Sequence, residues 1–413
     1  MLFRSRDPSA WYHFVVAFDT TQATAANRVK IYVNGQQVTA LSRTTYPTQN
    51  ADFNINNTTA QNIGRTTTPD SYFDGYMSDV YFIDGQALEP YYFGSNDENN
   101  IWKPIKYYGM YGTNGFHLDF TNTTSTTTIG YDSSPNGNNW TTNNISLTAG
   151  TTYDAMTDVP TNTSATVANY AVLNPLYSVS ASITNANLSL ARSGASGYGE
   201  STATISPEGN KGYFEITCSS SVDFLVGFIP ETTNPNVTNY TSTSCYFYKP
   251  YNGNVLVGTG ASTSTIITSC TSAATSGQII MVAFDFTGGN RNVWFGLQGT
   301  WGVNASSQTG VPSTGAYPHL TSTQLTSACR FYFSSGDSAA FSINFGQRPF
   351  SYTPPSGYVA LNTYNLSTPT IIQGNKYMDA TTYAGASATQ SVTNAGSFKP
   401  DLVWIKNRGS GRS

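Results

Sequence analysis

The sequence predicts an all-β protein: tandem antiparallel β-sandwiches with little helix. Three observations lead there. Short runs rich in aromatic and β-branched residues recur along the chain, each bounded by Gly, Asn or Asp, and such residues favour a pleated, half-buried surface. Charged residues make up only 10% of the chain and aromatic residues 14%, with 28 Tyr and 22 Phe; typical soluble proteins carry roughly 25% charge. Ser, Thr, Asn and Gly replace the missing charge, which suits sheets with Thr/Ser-covered outer faces. Asn-Gly and Asp-Gly steps supply the left-handed backbone that tight hairpins need.

The stretch Phe73–Gly85 shows the repeating unit. Asp74-Gly75 turns, Tyr76 to Ile83 reads as a strand, and Asp84-Gly85 turns again. With 413 residues there is chain for two or three cores. Mean hydropathy is −0.29, and no apolar run approaches the ~20 residues that span a bilayer, so no membrane insertion is expected. Net charge is −4 with a pI near 5.3, so no nucleic-acid partner is expected. Met1 to Asp7 lacks the apolar core of a secretory leader; a surface protein of this kind would leave the cell another way, such as by lysis inside an assembled particle. Cys218, Cys245, Cys270 and Cys329 fall in one region. Their spacing matches no zinc pattern; free half-buried thiols are expected, with two disulfides in one of three connectivities as the alternative.

Residues 1–100 read as a first unit. Trp11–Asp19 is a strand. Asn27–Ala40 is a hairpin with Asn34-Gly35 at its tip, in which Val29, Ile31 and Val33 should face a core and Arg28, Lys30 and Tyr32 water. Ile63-Gly64-Arg65 starts a short strand. Residues 101–170 read as a Tyr/Gly/Asn-rich connector holding the strand Phe116–Phe120 and the turn cluster Asp132–Trp140. Residues 171–362 read as a second β domain. Its strands are Gly212–Thr217, Phe224–Ile229, Tyr246-Phe247-Tyr248, Gln278–Phe286, Asn292–Leu297 and Phe341–Gly346, with Gln278–Phe286 apolar enough for burial on both faces. Residues 363–413 begin a further β unit, in which Phe398–Arg408 is a strand with basic edges and nothing to pair with.

Several of these runs also resemble known families. The order W-x-H-F-V-V-A-F-D, I-Y-V-N-G, I-G-R and F-D-G-Y-M-S-D-V-Y-F-I-D over residues 9–90 resembles the laminin-G-like, concanavalin-type jelly roll. Such domains are about twice this long, which leaves the strands before Trp11 to be supplied from elsewhere in a longer chain or by a neighbouring one. The order G-Y-F-E-I, V-G-F, Q-I-I-M-V-A-F-D, Y-P-H-L and I-N-F-G-Q-R-P-F is similar to SPRY/B30.2 β-sandwiches; Gly288-Gly289-Asn290-Arg291 departs from that family's turn pattern. The connector and the run F-K-P-D-L-V-W-I-K-N-R resemble segments of marine tailed-phage virion proteins. The resemblance implies a virion location, a tail-fibre or host-contact role, other virion proteins and a host glycan or receptor as partners, and a homo-oligomer, with a trimer by analogy. A secreted adhesin or carbohydrate-binding module and a polysaccharide depolymerase are the alternatives.

No catalytic constellation is expected. His13 and His117 lie in strands; His319, in a loop, is the one histidine placed for chemistry. Gly194-Ala195-Ser196-Gly197-Tyr198 misses the nucleophile elbow, and no strand carries alternating carboxylates for glycoside hydrolysis. Calcium is the cofactor to consider, with Asp70, Asp74, Asp97 and Glu98 as candidate ligands, because hard cations take oxygen donors. Tyr72, Tyr248, Tyr251 and Trp301 sit beside Gly/Asn turns and are the candidate sugar-stacking rings, since Tyr and Trp present an apolar face with a polar tip.

Overall fold

In the computed structural model, residues 7–41, 45–66, 71–194, 197–219, 223–234, 237, 240–336, 339–394 and 396–406 are described. Among them there is no α-helix; the regular elements are strands and three-residue 3-10 turns.

The first unit is assembled from three small sheets. β1 (Phe14–Phe18), β2 (Val29–Val33) and β3 (Gln36–Gln37) form an antiparallel meander. Its turn falls at Asn34-Gly35 with φ of 47° and 77°, the doubly left-handed geometry for which this dipeptide is suited. β4 (Val80–Phe82) pairs with β7 (Phe116–Leu118), and β5 (Gly94–Asn96) with β6 (Trp102–Pro104). Strand pairing therefore runs across residue 100. Trp140 adds an edge contact on Phe116 at 5.0 Å, and Asp132 takes the N–H groups of His117, Ser134 and Asn138. The first part of the expected connector is thus folded onto the first unit.

Two strand expectations shorten here. Phe73–Gly85 yields only β4, because Asp79 sits at φ 53° and breaks the extended run before Val80. The Ile63–Arg65 strand reduces to one bridge, Arg65 to Tyr72.

The hairpin's facing is the reverse of the expectation. Tyr32 and Ala17 are the buried residues and, with Val15, lie on the side of the Phe93, Tyr107 and Tyr111 cluster. Register pairs Phe14 with Val33, Val16 with Ile31 and Phe18 with Val29, so these six share the opposite face. There Val16 is 58% exposed and Phe18 41%. The aliphatic face is the open one, because the aromatic cluster from residues 93–111 packs on the other.

The second unit is a β-sandwich of two seven-stranded antiparallel sheets. Its strands in chain order are β8 (Leu173–Val179), β9 (Ala181–Thr184), β10 (Ser189–Arg192), β11 (Gly199–Ala203), β12 (Lys211–Cys218), β13 (Phe224–Pro230) and β14 (Tyr246–Lys249). Then follow β15 (Asn254–Gly258), β16 (Thr263–Ile267), β17 (Ile279–Asp285), β18 (Asn292–Leu297), β19 (Thr300–Trp301), β20 (Cys329–Ser335) and β21 (Ala340–Asn344). One sheet runs β19-β18-β17-β12-β21-β10-β9 and the other β16-β15-β14-β13-β20-β11-β8. Alternate residues of each strand meet between the sheets. The result is a phenylalanine-rich core in which Phe331 packs on Phe214, Phe228 and Phe284 at 5.0–5.4 Å.

Both outer faces carry a further apolar layer. Tyr213, Met281 and Trp294 lie on one, with Tyr358 over them; Leu225, Phe247 and Tyr332 lie on the other. Glu215 holds the loop after β21 in place, accepting the N–H groups of Ser351 and Tyr352 at 2.9 and 2.8 Å. All four cysteines are free and buried, and burial pushes each thiol up to about 12.

Hydrogen bonds join the two units. Ala186 N–H donates to Asp74 Oδ1 at 2.9 Å, and the Asn187 amide donates to the Pro8 carbonyl at 2.9 Å. Past residue 366 the chain is largely exposed. Phe398–Lys406, expected as part of a strand, forms no ladder among the described residues.

Candidate functional site

The four aromatic candidates do not form one site. Tyr72 and Tyr251 are each 61% exposed, and Lys249 Nζ lies 5.6 Å from the Tyr251 ring centre at the tip between β14 and β15. Trp301 is half-buried on β19 with its edge against Tyr213. Tyr248 is a correction: it is fully buried, stacked on Phe295 at 5.0 Å, with its hydroxyl 2.6 Å from Thr271 Oγ1. The two-residue period of β14 turns Tyr248 into the sandwich, which neighbouring turn residues do not reveal.

Nor does the structure gather the calcium candidates. Asp70 lies outside the described residues. Asp74 accepts the Ala186 N–H, and Asp97 Oδ1 accepts the N–H groups of Asn99 and Ile101 at 2.9 Å each, closing the β5–β6 turn. Glu98 contributes its carbonyl to the Asn375 amide at 3.0 Å. Among the described residues no three His, Cys, Asp or Glu side chains come together as a metal cluster. These aspartates do what short acidic side chains do in turns: they cap backbone N–H groups.

What the fold does assemble is an aromatic platform around Trp102. Its indole N–H donates to His13 Nδ1 at 3.0 Å, and Tyr91 meets its ring edge-on at 5.5 Å. Burial holds the His13 imidazole below its ordinary pKa, against the opposing charge of Asp79, in keeping with a neutral ring accepting at Nδ1. Gly35 and Gly94 make room: a Cβ on either would overlap the Trp102 ring. Tyr91 stays 61% exposed at the rim. The sequence held one signal for this, glycines with no side chain opposite a lone tryptophan; Gly94 is on the strand next to Trp102, but Gly35 and His13 arrive from far along the chain.

Beside the platform runs a groove of about 2210 Å³, bounded by β1, by β4 and by the β9–β10 turn of the second unit. Phe14, Val16, Phe18, Phe53, Ile55 and Phe73 give it an apolar wall. Six aspartates and one lysine line it. At the seam between units, Trp11 stacks on Tyr76 at 6.1 Å, and Asp158 accepts the Tyr170 N–H at 3.1 Å and a bond from the Trp11 side chain. Burial pushes the Asp158 carboxyl up to about 7, with those two hydrogen bonds opposing.

The histidines exchange their expected parts. His319 is core: its Nδ1 accepts the Phe295 N–H at 2.8 Å, and burial pulls it down to about 4. His117 instead links two polar groups. Its Nε2 meets Asp79 Oδ1 at 2.9 Å, its Nδ1 meets Ser133 Oγ at 2.8 Å, and Tyr81 stacks on the ring at 4.0 Å. Hydroxyl, imidazole and carboxylate in series serve acyl transfer in hydrolases, where the hydroxyl sits on Nε2. Here the ring is reversed, and the Ser133 hydroxyl also lies 3.0 Å from the His117 carbonyl. The arrangement satisfies a buried ring and pins β7 to Asp79.

Residues 4–90 match the Laminin_G_3 model, described as the concanavalin A-like lectin/glucanases superfamily. In that stretch the first unit is similar to laminin-G-like domains. Solved structures similar to the chain include a human SPRY domain (14% identity, 40% of this chain and 96% of that one, TM-score 0.30) and the SPRY domain of human HERC1 (17%, 41% and 96%, 0.30). The TRIM65 PSpry domain is similar at 10% identity, over 44% of this chain and 90% of its own, with a TM-score of 0.29. No curated protein matches the chain. The described residues form an all-β protein whose second unit is a sandwich of two seven-stranded sheets.

Proposed function

We propose that this chain is a non-enzymatic structural protein of a tailed-phage particle, in a tail fibre or related host-contact appendage, and that it holds a host-surface glycan on loop-borne aromatic rings. The observation that carries the glycan reading is the Trp102–Tyr91 platform, which lies just past the residues 4–90 that match the lectin/glucanase model and is bonded to His13 within them. A sugar ring stacks on such faces and hydrogen-bonds to polar tips at the rim. Tyr72 and Tyr251 extend the contact surface from separate places, so binding would draw on several weak contacts raised by linkage within an oligomer of virion proteins. The phage setting is supported by the resemblance of the connector, residues 101–170 taken together, and of Phe398–Arg408 to virion sequences.

The test is a bacterial glycan array with the full chain, followed by titration of any hit against Tyr91→Ala and Tyr251→Ala. Both rings are exposed, so the variants should fold. Loss of affinity by about tenfold at Tyr91, near 1.4 kcal/mol, is the expected result. Silence across the array removes the glycan reading.

One observation favours a second reading, depolymerase. A carboxyl raised to about 7 beside aromatic rings has the character of a general acid. Reducing ends released from a capsular polysaccharide by the wild type, and not by Asp158→Asn, would replace the first reading with this one.

A further inference from the structure

Two surfaces of this chain are unfinished in complementary ways. On β1 the side chains of Phe14, Val16 and Phe18 stand 52%, 58% and 41% exposed, on a sheet whose other face is packed. They open onto a groove of about 2210 Å³, against the roughly 300–1,000 Å³ usual for small ligands. The space suits a length of polypeptide better than a metabolite. Near the other end of the chain, Leu402, Val403, Trp404 and Ile405 stand 84%, 65%, 84% and 67% exposed in a run that forms no strand or ladder among the described residues. In a strand, Leu402 and Trp404 share one face and Val403 and Ile405 the other; such a segment is stable only when both faces are covered.

Charge matches the two. Six aspartates and one lysine line the groove, whereas residues 398–413 carry Lys399, Lys406, Arg408 and Arg412 against the single acid Asp401. Acidic walls facing basic flanks favour this register and steer the encounter.

We infer that the Phe398–Lys406 segment of one copy of this chain docks as a strand in the β1-walled groove of a second copy, with Leu402 and Trp404 on Val16 and Phe18. The segment lies across the open face of the sheet, and its alternate apolar side chains fill the groove's apolar wall. The donating and accepting surfaces differ, so the contact is head-to-tail and continues from copy to copy unless rotation closes a ring.

Sedimentation velocity of the full chain over a concentration series tests this. The wild type should form species beyond a dimer as concentration rises. Trp404→Ser, an exposed donor position, and Val16→Lys, an exposed acceptor position, should each leave monomers, with self-association weakened more than tenfold. Both should keep the wild-type circular dichroism. Mixed one to one, the two variants should give a capped dimer, because Val16→Lys still offers its tail and Trp404→Ser still offers its groove. A monomeric wild type at every concentration overturns the inference. So do oligomers that survive Trp404→Ser, which would place two β1 faces together instead, and a mixture that stays monomeric. The readout needs no glycan, so its failure is separable from failure of the binding reading.

Discussion

Asp158 and His319 are both stripped of water by folding, and they bias stability in opposite directions. The Asp158 carboxyl is raised to about 7 in the fold from an ordinary value near ~3.9. Its contribution is complete below the unfolded value and is lost as pH rises towards 7, because the unfolded chain ionises first. The His319 ring is lowered to about 4 from about 6.5. Its contribution is complete above that and is lost as pH falls towards 4. The two slopes oppose each other between pH 4 and 7, so the wild-type profile hides both. Asp158→Asn should therefore match the wild type near pH 4 and exceed it at pH 8, by about 2–4 kcal/mol. Urea unfolding of both proteins at the two pH values reads the difference; an equal gap at both removes the assignment.

His117 gives a second prediction at this scale. Its ring is 3% exposed and satisfied at both nitrogens. His117→Ala removes the stack on Tyr81 and leaves a cavity at a buried position, and should cost about 2–3 kcal/mol. No activity is expected to follow the loss: a nitrophenyl acetate assay that falls with both His117→Ala and Ser133→Ala would contradict the structural reading of this chain of groups.

At the scale of elements, the β2–β3 turn carries more than its hairpin. Gly35 combines φ 77° with a close approach to Trp102. Gly35→Ala should destabilise by about 1–3 kcal/mol through backbone strain and overlap and shift the tryptophan emission as the ring moves. A stable variant with unchanged emission would show that Trp102 is not seated on this turn.

The strands legible in the sequence share one property. Gly212–Thr217, Phe224–Ile229 and Gln278–Phe286 each lie within a residue or two of β12, β13 and β17, and Asn292–Leu297 coincides with β18. Their apolar or alternating patterns are strong enough to fix both type and limits. β11, Gly-Glu-Ser-Thr-Ala, has no such pattern, yet Gly199 to Thr202 are buried because the sheet's neighbours cover them. β8 holds Pro175, which reads as a break in a sequence and is tolerated here in an edge strand. The candidate site was less legible still: Tyr72, Tyr251 and Trp301 stay apart, and the Trp102 platform draws on residues 13, 35, 91 and 102 that no local pattern connects.

For the whole molecule, core depth separates the two units. The second sandwich buries side chains from both sheets and adds a layer outside each. The first rests on Phe93, Tyr107 and Tyr111 with a few half-buried neighbours, and leaves one sheet face open. Opening free energies vary across a structure with such differences. Amide exchange should be slowest in β12, β13, β17, β20 and β21, and faster by about a hundredfold or more in β1 and β2, near 2.7 kcal/mol. Comparable protection in β1 would mean that its open face is covered in solution.

By itself the sequence determined the all-β class, the places where the chain turns, and the strands of the deepest core. Those follow from local causes: side-chain shape on a pleated backbone and the few residues that accept left-handed φ. Only the tertiary structure decided which face of the first hairpin is covered, which tyrosine is interior, and which histidine is held by a serine and an aspartate. These depend on which distant segment arrives to exclude water, and a period of two in the side chains offers two faces without choosing between them.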